Sequence, residues 1–157
     1  MSNFGLWQRR PDECGIVCAA YFLNKIESSP KNLREVRGII FPGGPHKSWG
    51  YLTSASDLRA FFVNYGYRLG RERKIGTGRR ISVGNFEKCL KDTAKNDHLI
   101  KTNLRVSQNQ WHWLYYDADA GKLFDPLPWC NKYSMLSPVS AYSLNAVECE
   151  AVLEAAI

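Results

Sequence analysis

The sequence predicts an α+β domain with N-terminal helices packed on a C-terminal antiparallel β-sheet. Two observations carry that reading. Up to Leu90, apolar residues recur at helical spacing behind helix-start residues, and after Asn96 the chain turns to aromatic, strand-like segments. The 157 residues suffice for one core and are too few for two ordinary domains, so residues 1–157 read as a single domain.

The first helix opens at Cys14. Pro11 and Asp12 are helix-start residues, and Ile16, Val17, Ala20, Tyr21 and Leu23 supply a broad apolar face that ends between Asn24 and Glu27. Ser28-Ser29-Pro30 reads as a turn, and Asn32 caps a short second helix through Leu33, Val36 and Ile40. From Phe41 to Leu52 the chain holds Pro42-Gly43-Gly44-Pro45 and Trp49-Gly50, too many turn residues for regular structure. A loop of this kind is more often a cleft wall or lid than a connector. Ser54 to Asp57 resembles a capping box for a third helix with Leu58, Phe61, Phe62 and Tyr65 on its face, stopped by Gly66.

Tyr67 to Arg71 reads as a short strand before the Ile75-Gly76-Thr77-Gly78 turn. Asn85 or Ser82 starts a fourth helix through Phe86, Cys89 and Leu90. His98 to Leu104 alternates as a half-buried strand, with His98 at the surface beside Asp97. Trp111 to Tyr116 is a strand, Asp117 to Gly121 a hairpin turn, and Lys122 to Asp125 the return strand, ended by Pro126. Pro128 to Asn131 is a loop, Tyr133 to Leu144 gives no clear pattern, and Val147 to Ala156 is a closing helix of moderate periodicity.

Hydrophobic residues at 45% and charged residues at 23% exclude wholesale disorder, and no apolar run is long enough for a bilayer. The N-terminal residues lack the basic and apolar regions of a secretory signal. Five scattered cysteines (Cys14, Cys18, Cys89, Cys130, Cys149) form neither a CxxC pair nor a disulfide framework. The expected setting is therefore reducing: the cytoplasm, or export without a signal peptide. Cys14 and Cys18 lie one turn apart, but no His or Cys nearby completes a tetrahedral set, so neither metal nor cofactor is expected.

Much of the net charge of +6 sits in Arg68, Arg71, Arg73, Lys74, Arg79 and Arg80, opposed locally by Glu72. The bland reading is a solvated loop and strand; the sharper one is a docking patch for an acidic partner. Nucleic acid is not expected, because no binding motif accompanies the run and no aromatics interleave with it.

The residues that carry chemistry begin with Cys14. A cysteine in a helix's first turn faces unpaired backbone N–H groups and the positive end of the helix dipole, which favour the thiolate. Gln8 is placed to return its side-chain amide to the same point and stabilise an oxyanion. Three histidines limit the search for a base. His46 lies in the glycine- and proline-rich loop and His98 starts a strand, whereas His112 sits inside the aromatic strand with Trp111 and Trp113 on the opposite face. Folding the hairpin about Ala118-Asp119 puts Asp125 directly across from His112, where it would orient the imidazole. Cys14, His112 and Asp125 then form a nucleophile–base–orienter set. The alternative is a satisfied His–Asp pair with no chemistry.

These residues resemble the papain-like cysteine hydrolases, and most closely the bacteriocin-processing peptidases that cut after double-glycine leaders. Gln8, Glu13-Cys14-Gly15, His112 and Asp125-Pro126 match that branch's motifs, and the likeness covers most of residues 6–128. Glu13 stands where the branch has Asp, and the segment after Ser137 finds no counterpart. The resemblance implies that Cys14 is the nucleophile, His112 the general base and acid, and Asp125 the orienter. It also implies an oxyanion hole made of Gln8 and the Cys14 N–H, and a thioester intermediate. Effector or toxin deamidases acting on protein glutamines, deubiquitinases and acyltransferases share this chemistry, and a non-catalytic binding module shares the fold. The expected partner is a protein or peptide substrate with an acidic surface.

Overall fold

The computed structural model describes residues 6, 10, 12–29, 31–48, 50–75, 80–103, 111–127 and 135–147. Gln8, Arg79, Cys130, Cys149, the 128–131 loop and the body of the expected closing helix lie outside the described residues.

Among the described residues, four helices and an antiparallel seven-stranded sheet make an α+β fold. The helices are α1 (Cys14–Ile26), α2 (Leu33–Ile40), α3 (Ala55–Val63) and α4 (Val83–Thr93). The strands are β1 (Tyr67–Leu69), β2 (Arg73–Lys74), β3 (Ile81–Ser82), β4 (His98–Asn103), β5 (Trp111–Asp117), β6 (Lys122–Phe124) and β7 (Met135–Ala146). Strand order is β1-β7-β4-β5-β6, with β2 and β3 also paired to β7.

Local chemistry explains most boundaries. Asn32 accepts from the Glu35 N–H and Glu35 answers to the Asn32 N–H, a full capping box; Ser54 and Asp57 make another. Of the two candidate starts for α4, Ser82 is the cap and accepts from the Asn85 N–H at 3.2 Å. Gly66 stops the α3 segment at φ +78°, a left-handed turn that glycine adopts without steric penalty.

Helices cover both faces of the sheet. On one face α1, α2 and α3 bury Phe22, Leu23, Val36, Phe61 and Phe62 against Leu99, Trp113, Tyr115, Phe124 and Tyr142. On the other, Phe86 and Leu90 of α4 pack with Ile100, Leu114, Tyr116, Leu136 and Ala141. Consecutive residues such as Leu99 and Ile100, or Trp113 and Leu114, therefore serve opposite cores.

Three expectations need correction, and one open stretch gains an assignment. β4 is buried on both faces rather than half-buried, because α4 covers the side that alternation assigned to solvent. His98 is only 5% exposed, enclosed where β4 runs between β5 and β7. Cys89 is exposed; α4 turns Val83, Phe86 and Leu90 inward instead. The unassigned Tyr133–Leu144 stretch holds most of β7, which pairs with β4 on one side and with β1, β2 and β3 in turn along its length. The β4–β7 register shifts between Lys101 and Thr102, beside Pro138, which has no N–H to give to the ladder.

Candidate active site

Cys14 is the first residue of α1, and its N-cap, Glu13, makes no side-chain cap bond to the helix. Asp12, read as a helix-start residue, instead accepts from the Tyr51 N–H at 3.1 Å and pairs with Arg10 at 3.2 Å. Glu13 turns back to accept from the Arg10 N–H. No side chain therefore caps the first turn of α1 from its N-cap, while α2, α3 and α4 are all capped.

α1 packs along β5 where β6 has ended. β6 pairs only with Tyr115, Tyr116 and Asp117, so the Trp113 peptide lies beyond its reach. Two thiols on one face of α1 take its place. The Trp113 N–H donates to Cys14 Sγ at 3.4 Å, and Cys18 Sγ donates to the Trp113 carbonyl at 3.5 Å. The two cysteines are not equivalent. Burial, the neighbouring Cys14 and Asp125 all push the Cys18 thiol up, which keeps it neutral.

His112 is buried and its Nε2 bonds Asp125 Oδ1 at 2.7 Å. The expected pairing survives, though not the expected register. The hairpin turns through Ala118–Gly121, and Tyr115 faces Phe124. Extending that ladder puts Asp125 level with Leu114, so it reaches His112 diagonally along the same face. The longer turn causes the shift. Asp125 is itself fixed by the Leu127 N–H, which donates to the same Oδ1 at 3.0 Å.

The other ring nitrogen of His112, Nδ1, is buried with no hydrogen-bond partner among the described residues. Burial alone would lower the imidazole's proton affinity. The bond to Asp125 is the larger influence against this and the neighbouring Cys14 adds to it, which together push His112 up to about 10. With Nε2 committed to Asp125, Nδ1 is the atom left for the thiol. The arrangement favours a proton on the imidazole.

Spacing gave no sign of a further residue, Thr53, that joins these parts. Its carbonyl accepts both the Trp111 and Trp113 indole N–H groups, each at 2.9 Å, and so grips the residues on either side of His112. Its side chain, fully buried, lies against Gly15, where a Cβ would come within 1.6 Å of Thr53 Oγ1. Glycine after the candidate nucleophile is thus required by close packing. Such a contact has no signature in a single sequence.

The other two histidines stand apart. His46 Nε2 pairs with Asp57 at 3.3 Å on the 41–52 loop. His98 Nδ1 meets the Asn96 carbonyl at 2.6 Å, and its Nε2 meets the Arg73 guanidinium at 3.4 Å. Burial pulls His98 down, so it is held neutral.

Scans against protein-family models and against curated proteins give no match to this chain. No helix among the described residues is long and apolar enough to cross a membrane.

Proposed function

We propose that the protein is a papain-like cysteine amide hydrolase acting on a protein or peptide. One observation carries the reading: His112 is bound to Asp125 through Nε2, keeps Nδ1 unpartnered, and stands beside a thiol at an uncapped helix start. A buried His–Asp pair with a purely structural role has no need of that adjacent thiol.

In the proposed reaction the Cys14 thiolate attacks the carbonyl carbon, and the oxyanion is held by the Cys14 N–H with help from Gln8. His112 gives its proton to the departing nitrogen, leaving a thioester on Cys14. His112 then takes a proton from water as the water attacks, and the carboxylic acid leaves with Cys14 regenerated. Asp125 holds the ring and steadies its charge throughout. A backbone amide and a glutamine side chain suit this chemistry equally. The bacteriocin-type peptidase and the glutamine deamidase are thus two forms of one proposal.

The burial of Cys14, 1% exposed, favours a second reading: a non-catalytic binding module in which both thiols serve only to dock α1 on β5. Iodoacetamide at neutral pH separates the two. The hydrolase reading expects Cys14 to be alkylated ahead of the exposed Cys89, and Cys14→Ala to abolish turnover while the domain stays folded. Alkylation of Cys89 with Cys14 inert in the folded protein sinks it. Mass spectrometry of candidate target proteins then distinguishes a cut backbone from a glutamine converted to glutamate.

A further inference from the structure

Arg34 and Arg37 are three residues apart on α2, so they rise from one face of the helix. With Gly38, Phe41 and Tyr51 they line a cavity of about 250 Å³. That is below the roughly 300–1,000 Å³ of a drug-sized pocket and suited to one side chain. The Arg37 guanidinium sits 5.1 Å from the Tyr51 ring centroid, and that of Arg10 5.6 Å from the same ring. Phe41 meets Tyr51 edge-on at 5.4 Å.

Neither Arg34 nor Arg37 has a carboxylate partner among the described residues. Glu35, the acid between them, is turned back to the Asn32 N–H in the capping box, and Glu27 faces Lys31. Arg10 has Asp12. Two guanidiniums therefore line one small cavity with no anion among the described residues to neutralise them.

Gly38 adds an independent observation. It lies within α2, where glycine is the least favourable residue after proline. No atom stands within 4 Å of the place its Cβ would take, so packing does not require it. Its bare backbone instead leaves the cavity wall open. The cavity is also tied to the candidate active site. The Tyr51 N–H donates to Asp12, two residues before Cys14, and a Cβ on Gly50 would fall 2.7 Å from the same carboxylate oxygen.

We propose that Arg34, Arg37, Gly38, Phe41 and Tyr51 form a docking site for a carboxylate side chain in an acidic segment of a protein partner. The guanidiniums take the carboxylate as charge-assisted donors, and the phenylalanine and tyrosine rings flank its methylene stem. That this partner is also the substrate rests on the hydrolase reading; the docking itself does not.

The test uses the full chain carrying Cys14→Ala, so binding is read without turnover, with fluorescein-labelled hexaglutamate as the probe and hexaglutamine as its uncharged control. Hexaglutamate should bind and hexaglutamine should not. Arg34→Gln with Arg37→Gln should weaken binding by about tenfold or more. Arg73→Gln with Lys74→Gln, which removes the same charge from the basic strand, should change it far less. Gly38→Ala should raise Tm by about 2 °C through the improved helix yet weaken binding by filling the opening. Equal losses from the two double variants, or unchanged binding in Gly38→Ala, overturn the proposal. So does an oligonucleotide that binds more tightly than hexaglutamate through the same arginines. Turnover lost in the Cys14-containing chain while hexaglutamate still binds speaks against the hydrolase reading alone.

Discussion

At the scale of single residues, Asp125 decides what His112 can do. Burial works against a charged imidazole, and Asp125 and Cys14 together reverse that, raising His112 to about 10. A histidine raised on folding contributes stability that is complete below its unfolded value of about 6.5 and is lost as pH rises through the folded value. The protein should therefore lose stability between pH 7 and 10, and Asp125→Ala should flatten that slope. NMR titration of the His112 ring and urea denaturation across the range check it. An unchanged His112 titration in Asp125→Ala would mean the carboxylate does not set its charge. Under the hydrolase reading the same substitution lowers kcat by about 100-fold or more. Gly15 makes a separate demand. Gly15→Ala forces a Cβ against buried Thr53, and overpacking of that kind costs about 1–3 kcal/mol, measurable as a lower urea midpoint.

At the scale of elements, the helices were readable because their signals are local. Asn32-to-Glu35 and Ser54-to-Asp57 declare their boxes within four residues. Ser54→Ala should cost about 1 kcal/mol by thermal denaturation, with the same loss expected for Asn32→Ala. Neither should move the His112 titration, since both caps lie outside the Cys14–His112–Asp125 set. The strands were readable only where aromatic content marked them. β7 escaped because its apolar residues are broken by Ser137, Pro138, Ser140 and Ser143, and its place depends on partners far away in the chain. The diagonal from His112 to Asp125 escaped for a related reason: turn length, which sets register, is fixed by Gly121 at φ +61° rather than by the strands' pattern. Even so, the pair itself was legible, because a two-residue register error returns a side chain to the same face. Thr53 was not, as a backbone carbonyl receiving two indoles leaves no trace in residue type.

At the scale of the whole molecule, α1 is pinned at both ends, by the thiols on Trp113 at its start and by Lys25 at its finish. Lys25 Nζ lies 2.7 Å from Asp97, 2.8 Å from Asp117 and 2.8 Å from Asp119, joining the helix to the approach to β4 and to the β5–β6 turn. Tyr21 donates to Asp117 and Tyr115 to Asp97, completing the cluster. Burial alone would raise Asp117, but Lys25, the Ala120 N–H and the Tyr21 hydroxyl together hold it below the ordinary carboxylate range. Its contribution to stability is thus present above about pH 3.9 and is lost as pH falls through the lower folded value. Lys25→Met leaves three mutually repelling carboxylates and should cost roughly 3 kcal/mol at pH 7. In the variant Asp117 loses the cation that holds its carboxyl down, so it takes up its proton at higher pH than in the parent, which relieves the repulsion. The deficit should therefore shrink as pH approaches 3, with urea denaturation at both pH values as the measurement. A deficit that stays constant would mean that Lys25 holds α1 through its packed methylene stem and not through its charge.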